Sequence, residues 1–154
     1  MNGQYISPFG MITFTVEDGF LVGMAFSDET VQLSDHPVIK KIHSALDRYF
    51  KHQSQTFDID LKFMRGTPFQ KEVWERLLRI PYGQTKSYLD IAREINNEKA
   101  VRAVGQACKR NPIGIIVPCH RVIGKDGSMT GYSGKDYVDL KKKLLIHEQG
   151  LHHE

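Results

Sequence analysis

With 154 residues, 40% of them hydrophobic and a net charge of +3, the chain is long enough for one domain, or two small ones, around a real core. No stretch approaches the roughly 18 apolar residues of a membrane span, and the amino terminus MNGQYISPFG carries neither a basic cluster nor an apolar run; a cytoplasmic protein is expected, or a nuclear one in a eukaryote. Two cysteines, Cys108 and Cys119, are too few for a disulfide framework, so in a reducing compartment either thiol is free to react.

In MITFTVEDGFLVGMAF, Ile12, Phe14 and Val16 alternate with Thr13 and Thr15, and a turn at Asp18-Gly19 leads into a second apolar run, which predicts a β-hairpin. Val38, Ile42, Leu46 and Tyr49/Phe50 share one helical face, with Pro37 suited to the first turn. FDIDLKF alternates throughout and predicts a strand with Phe57, Ile59, Leu61 and Phe63 inward. Residues 1–64 therefore read as a small α+β domain without a catalytic constellation, and a boundary is placed near residues 64–67.

From RGTPFQKEVWERLLRI the period becomes helical. Thr67 and Gln70 have the spacing of a capping box, and Phe69, Val73, Trp74 and Leu77 form an apolar face. A short helix in KSYLDIAREI, the polar turn NNE and a second helix in KAVRAVGQACKR make a helix-turn-helix pattern. On the second helix Arg102, Gln106, Lys109 and Arg110 share one face, and Val101, Val104 and Cys108 another. Such a pair either binds DNA or merely packs. Residues 65–125 hold 12 basic against 5 acidic residues, a net +7, flanked by −3 over residues 1–64 and −1 over residues 126–154. That basic middle fits either a nucleic-acid face or a solvated surface. NPIGIIVPCHRV is predicted short and extended between two prolines, GKDGSMTGYSG is a loop, and the last helix places Tyr137, Lys141, Leu144 and Glu148 on one stripe before stopping at Gly150.

Cys119 is the candidate nucleophile, because a thiolate attacks well and His120 and Arg121 supply a base and a positive charge beside it. In an extended chain neighbouring side chains point to opposite faces, so the proton would travel through a water or around a bend. Glu148, on the inward stripe, is the candidate orienter of His120. The plain alternative is a small core cysteine, a hydrogen-bonded structural histidine and an exposed glutamate. A zinc site fits poorly, since two cysteines eleven residues apart lack metal-ligand spacing.

PCHRV, preceded by RAVGQACKRNP and followed by GYSG and LLIHEQG, closely resembles the O6-alkylguanine-DNA alkyltransferases, also called methylated-DNA–protein-cysteine methyltransferases, over about residues 65–150. The resemblance implies a ribonuclease H-like α/β domain over residues 1–64, followed by a winged helix-turn-helix-like domain over 65–154 that binds DNA and accepts the alkyl group. Cys119 would take an alkyl group from guanine O6, or thymine O4, of a base flipped out of the duplex, and would do so once. His120 would act as base through water, Glu148 as its orienter, Asn111 as a brace of the active-site turn and Tyr88 as proton donor to the departing base. Arg102 would fill the gap in the stack, with Ala103 and Gly105 allowing close approach to the minor groove. Gly131, Tyr132 and Ser133 would line the base pocket with the carbonyls of Cys119 and Val122, and Lys141 would link the last helix to that loop. Ser87, Gln106 and Arg121 complete the substrate- and DNA-facing set. Relatives that bind metal use amino-terminal cysteines absent here, so neither metal nor cofactor is implied. The resemblance implies double-stranded DNA with alkylated bases as the partner, and a monomer acting alone or cooperatively along it.

Overall fold

A computed structural model describes residues 1–124 and the helix and C-cap at 135–150, the side chains of that last segment from Asp139 onward. The chain divides into two compact units: Met1–Met64 with Pro112–Gly114, and Arg65–Asn111 with Ile115–Glu154. Pro112–Gly114, expected inside the second domain, thus pack with the first unit.

In the first unit three antiparallel strands run in the order β1 (Asn2–Ser7), β2 (Gly10–Glu17) and β3 (Phe20–Phe26). The predicted hairpin is β2–β3, and its turn works because Asp18 and Gly19 both take positive φ, 51° and 83°, which matches the twist of the strands. The predicted face of Ile12, Phe14 and Val16 is sealed from solvent. β1 had no counterpart in the sequence reading; it pairs with Gly10–Thr15 along β2's other edge. Helix α1 (Pro37–Phe50) covers the sheet with Ile39, Ile42, Ala45, Leu46, Tyr49 and Phe50, and Tyr5 on β1 donates to Asp47 at 3.0 Å. Ile39 rather than Val38 opens the buried stripe.

The strand expected in FDIDLKF forms only one bridge, Leu21 to Leu61, although its side chains alternate between half-buried and exposed as predicted. The reason lies at the edge of β3. Pro112–Gly114 already bond to Met24 there, with Met24 N to Pro112 O at 3.0 Å and Gly114 N to Met24 O at 2.9 Å. The 57–63 segment is left with Leu21 alone.

The second unit begins with α2 (Pro68–Leu77), whose capping box between Thr67 and Gln70 forms as expected. Its Trp74 is buried and donates its indole N–H to Ala107 O at 2.8 Å, fixing α2 against α4 (Val101–Lys109). Gly66 precedes the cap at φ +120°, and a Cβ there would lie 2.6 Å from the Trp74 ring. Because the indole is held at its far side, it cannot retreat; Gly66→Ala is expected to destabilise the protein by about 1–3 kcal/mol, read from urea denaturation midpoints.

Helix α3 (Tyr88–Glu94) starts at a capping box of Ser87 with Asp90 and ends at Asn96, in the left-handed region at φ 57°. One turn of 3₁₀ helix over Glu98–Ala100 leads into α4. Two short strands, β4 (Lys86–Ser87) and β5 (Val122–Ile123), pair in parallel and hold the start of α3 beside the PCHRV segment. Helix α5 (Lys135–Gln149) closes the unit, and Gly150 at φ 70° caps it by donating to Ile146 O. Among the described residues no helix is long and apolar enough to cross a membrane.

Candidate active site

The extended run predicted for NPIGIIVPCHRV stops at Ile113. The chain then turns through Gly114–Ile116, with Ile115 at φ 72°, a conformation β-branched residues avoid, and buries Ile115, Ile116 and Val117. Asn111 spans this turn by donating from Nδ2 to Val117 O at 2.8 Å, and the Cys119 amide donates to the same oxygen at 2.8 Å. Two donors on one carbonyl fix the approach to the nucleophile.

Cys119, His120 and Arg121 form a single 3₁₀ turn. Their side chains therefore fan out about 120° apart, neither opposed as in a strand nor aligned, which answers the geometric difficulty raised by the sequence. Cys119 is buried at 5% exposure and His120 at 1%. His120 Nε2 lies 2.6 Å from Glu148 Oε2 on α5. Glu148 also accepts from Arg121, Nε to Oε1 at 2.7 Å and Nη2 to Oε2 at 2.9 Å, and from the Gly83 amide at 3.3 Å. The third arm of Arg121, Nη1, donates to Ile80 O at 2.7 Å, and the guanidinium lies 5.8 Å from the Tyr82 ring centre.

Burial alone would push the Glu148 carboxyl up, but the hydrogen bonds and charges of His120 and Arg121 outweigh it and hold the group far below its ordinary range. Glu148 is thus ionised and can only accept. Nε2 of His120 must then carry the shared hydrogen, and burial, together with the nearby charges of Arg121 and Lys141, outweighs the pull of Glu148 and keeps the imidazole neutral by lowering its pKa. Nδ1 is left as the acceptor; it is buried and has no partner among the described residues. A neutral imidazole with its lone pair free beside a cysteine is poised to take a proton.

On the other side, Lys141 reaches inward from α5 at 1% exposure and donates from Nζ to Tyr88 Oη at 3.0 Å, with Tyr88 itself buried at the head of α3. Burial lowers the Lys141 pKa, and the sulfurs of Cys119 and Cys108 lie near enough to oppose that shift. Lys142 and Lys143, next along the helix, are exposed, whereas Lys141 is buried, in keeping with its place on the inward stripe.

The model of the 6-O-methylguanine DNA methyltransferase DNA-binding domain matches residues 68–150. The constitutive methylated-DNA–protein-cysteine methyltransferase of Bacillus subtilis is 44% identical over 149 residues, covering 90% of this chain and 89% of that protein. The chain belongs to this methyltransferase family. A methylated-DNA–protein-cysteine methyltransferase of Mycolicibacterium paratuberculosis is 42% identical across 93% of this chain and 88% of its own length. Among solved structures, Mycobacterium tuberculosis OGT in complex with DNA superposes with a TM-score of 0.84 at 40% identity, covering 97% of this chain and 92% of that one.

Within this family member, Cys119, His120, Glu148, Asn111, Tyr88 and Lys141 converge on one place in the second unit. Arg102, Ala103 and Gln106 lie exposed on α4, and a Cβ on Gly105 would meet no protein atom, so that face is flat and open. Val101, expected on the packed face, is exposed. Ser87 spends its side chain capping α3 by accepting from Asp90 N. Arg121 needs correction: it was grouped with the substrate- and DNA-facing residues, but it is buried and its three donor arms are engaged by Glu148 and Ile80. A buried glutamate could not stay ionised so cheaply without it. Val122 is fully buried, and its amide donates to Cys119 O. Gly131, Tyr132 and Ser133 lie outside the described residues. The sequence reading missed Gly83 and Ile80, which bind through their backbones; only Gly83, at φ +77° in PYG, left a trace as a turn signal.

Proposed function

We propose that the protein repairs DNA by moving an alkyl group from guanine O6, or thymine O4, of a flipped-out base onto Cys119. The observation that carries this reading is the one-turn placement of a buried cysteine and a buried neutral histidine anchored to an ionised glutamate, in a chain of the methylated-DNA–protein-cysteine methyltransferase family.

His120 Nδ1 takes the thiol proton of Cys119 through a water, and the thiolate attacks the alkyl carbon; the S–C bond forms as the C–O6 bond breaks, and its electron pair stays on the purine. Tyr88 gives its proton to the departing base, and the ammonium of Lys141 against its oxygen offsets the charge left behind. A thioether carbon is saturated and thiolate leaves poorly, so water does not restore the cysteine and each molecule acts once.

The open face of α4 supports its reading as the recognition helix of a winged helix-turn-helix-like domain over residues 65–154, entering the minor groove with Arg102 in the vacated stack. Residues 1–64 are assigned a ribonuclease H-like domain. Nucleophile, base, orienter and basic helix all come from one chain, which favours a monomer as the working unit. Tyr132, Ser133 and Gly131 are assigned to the base pocket, with Ser133 near O6.

The test is stoichiometric. Duplex DNA with a single labelled O6-methylguanine, offered in excess, should pass one label per protein molecule and then no more. Binding without transfer would make the protein a lesion-recognition module, and indifference to the lesion would make it an ordinary DNA-binding protein.

A further inference from the structure

Arg121 is a buried charged group of the described site to which the transfer chemistry gives no step. Resting on the reading of Cys119 as acceptor and His120 as its base, we propose that Arg121 is a positioning residue that keeps this base neutral: it balances the charge of Glu148 with its own, so that His120 holds its single proton on Nε2 and leaves Nδ1 open.

A carboxylate sealed from water demands a countercharge. If the imidazole were the sole candidate, it would become an imidazolium, an ion pair with Glu148, and could no longer accept a proton from Cys119. Arg121 removes that demand with a two-point contact of 2.7 and 2.9 Å, anchored from behind by Ile80 O and the Tyr82 ring. Among the described residues the charged groups that act on His120 come from two elements. Glu148 and Lys141 reach it from α5, and Arg121 from its own turn; Glu148 favours a charged ring, whereas both cations oppose one. Tyr82, from the turn after α2, faces the Glu148–Arg121 pair, and burial with the nearby Glu148 charge raises its pKa, so it stays neutral. With one anion and two cations around it, an imidazolium would be the third cation.

The consequence separates Arg121 from a merely structural residue. Arg121→Gln should let His120 take a second proton at neutral pH, move the pH profile of single-turnover transfer toward alkali, and lower the rate at neutral pH at least about tenfold, with much of it regained at high pH. Arg121→Lys, which keeps the charge without the fork, should leave the position of the profile unchanged. The double variant Arg121→Gln/Glu148→Gln removes both charges and should return His120 to the neutral form.

Protonation is read directly by NMR of isotope-labelled histidine in the full-length Cys119→Ser protein without DNA, so its outcome is independent of whether alkyl transfer occurs. His120 remaining neutral in Arg121→Gln, or a rate lowered equally at every pH, overturns the proposal. Should that variant not fold, the protein with Arg121 intact decides: His120 must gain its second proton only below the ordinary 6.5, and an imidazolium at neutral pH ends the idea. Loss of the function reading looks different, as a neutral His120 in a protein that takes up no label.

Discussion

Cys119→Ala should take no alkyl group from O6-methylguanine DNA at any time or concentration, while folding normally and still binding the duplex. In the proposed transfer the new bond forms on this sulfur, and alanine puts no nucleophile in its place, so the loss is complete rather than partial. Little else changes, because the position is buried at 5% exposure and alanine fits within the same space; the stability cost should be about 1 kcal/mol. Binding should survive because the face proposed to meet DNA, the exposed side of α4 with Arg102 and Gln106, is untouched. The natural control is the other cysteine. Burial pushes the Cys108 thiol up to about 12, with Cys119 adding to the shift and Lys141 opposing it, so Cys108 stays protonated and inert. Cys108→Ala should therefore transfer as the parent does, and intact and peptide mass spectrometry should find every alkyl adduct on Cys119. An adduct on Cys108 would contradict the assignment.

Glu148→Ala should cost both function and fold. Four donors lose their acceptor at once: His120 Nε2, Arg121 Nε and Nη2, and the Gly83 amide. The Arg121 guanidinium is then buried without a countercharge, a defect worth about 3–5 kcal/mol, and His120 is no longer held in one tautomer or orientation. Urea denaturation should show the loss, and single-turnover transfer should fall even under conditions where the variant remains folded.

The same carboxylate gives the protein a signature in acid. The folded-state pKa of Glu148 lies far below the ordinary 4.5, so the stability it contributes is fully present above that value and is lost as pH falls toward the depressed folded value. His120 acts in the same direction at higher pH: its folded pKa lies below 6.5, so the unfolded chain binds protons first and stability begins to decline once pH drops beneath 6.5. Unfolding free energy should thus descend in two stages. Glu148→Gln should have a smaller lower stage, the rest coming from Asp47 and Asp90, which are also held below their ordinary range, and an unchanged curve for parent and variant would count against the pairing.

Much of this molecule is local in origin and could be read without coordinates. Alternation exposed β2 and its turn at Asp18-Gly19, the Thr67–Gln70 spacing announced the start of α2, and Gly150 marked the end of α5, because each depends on interactions within a few residues. The motif PCHRV marked the proposed nucleophile and base, and the stripe on α5 marked the glutamate that meets His120. What pattern could not supply was competition for partners. Whether FDIDLKF became a strand depended on Pro112–Gly114 reaching the edge of β3 from far along the chain. Whether Lys141 met water or Tyr88, and whether Arg121 faced DNA or the Glu148 carboxylate, depended on how α5 lies across the Cys119 turn. A charged side chain looks alike on paper in either setting. Only the fold determines which of the two exposes it to water and which surrounds it with countercharge, and that difference in solvation decides its protonation and its task.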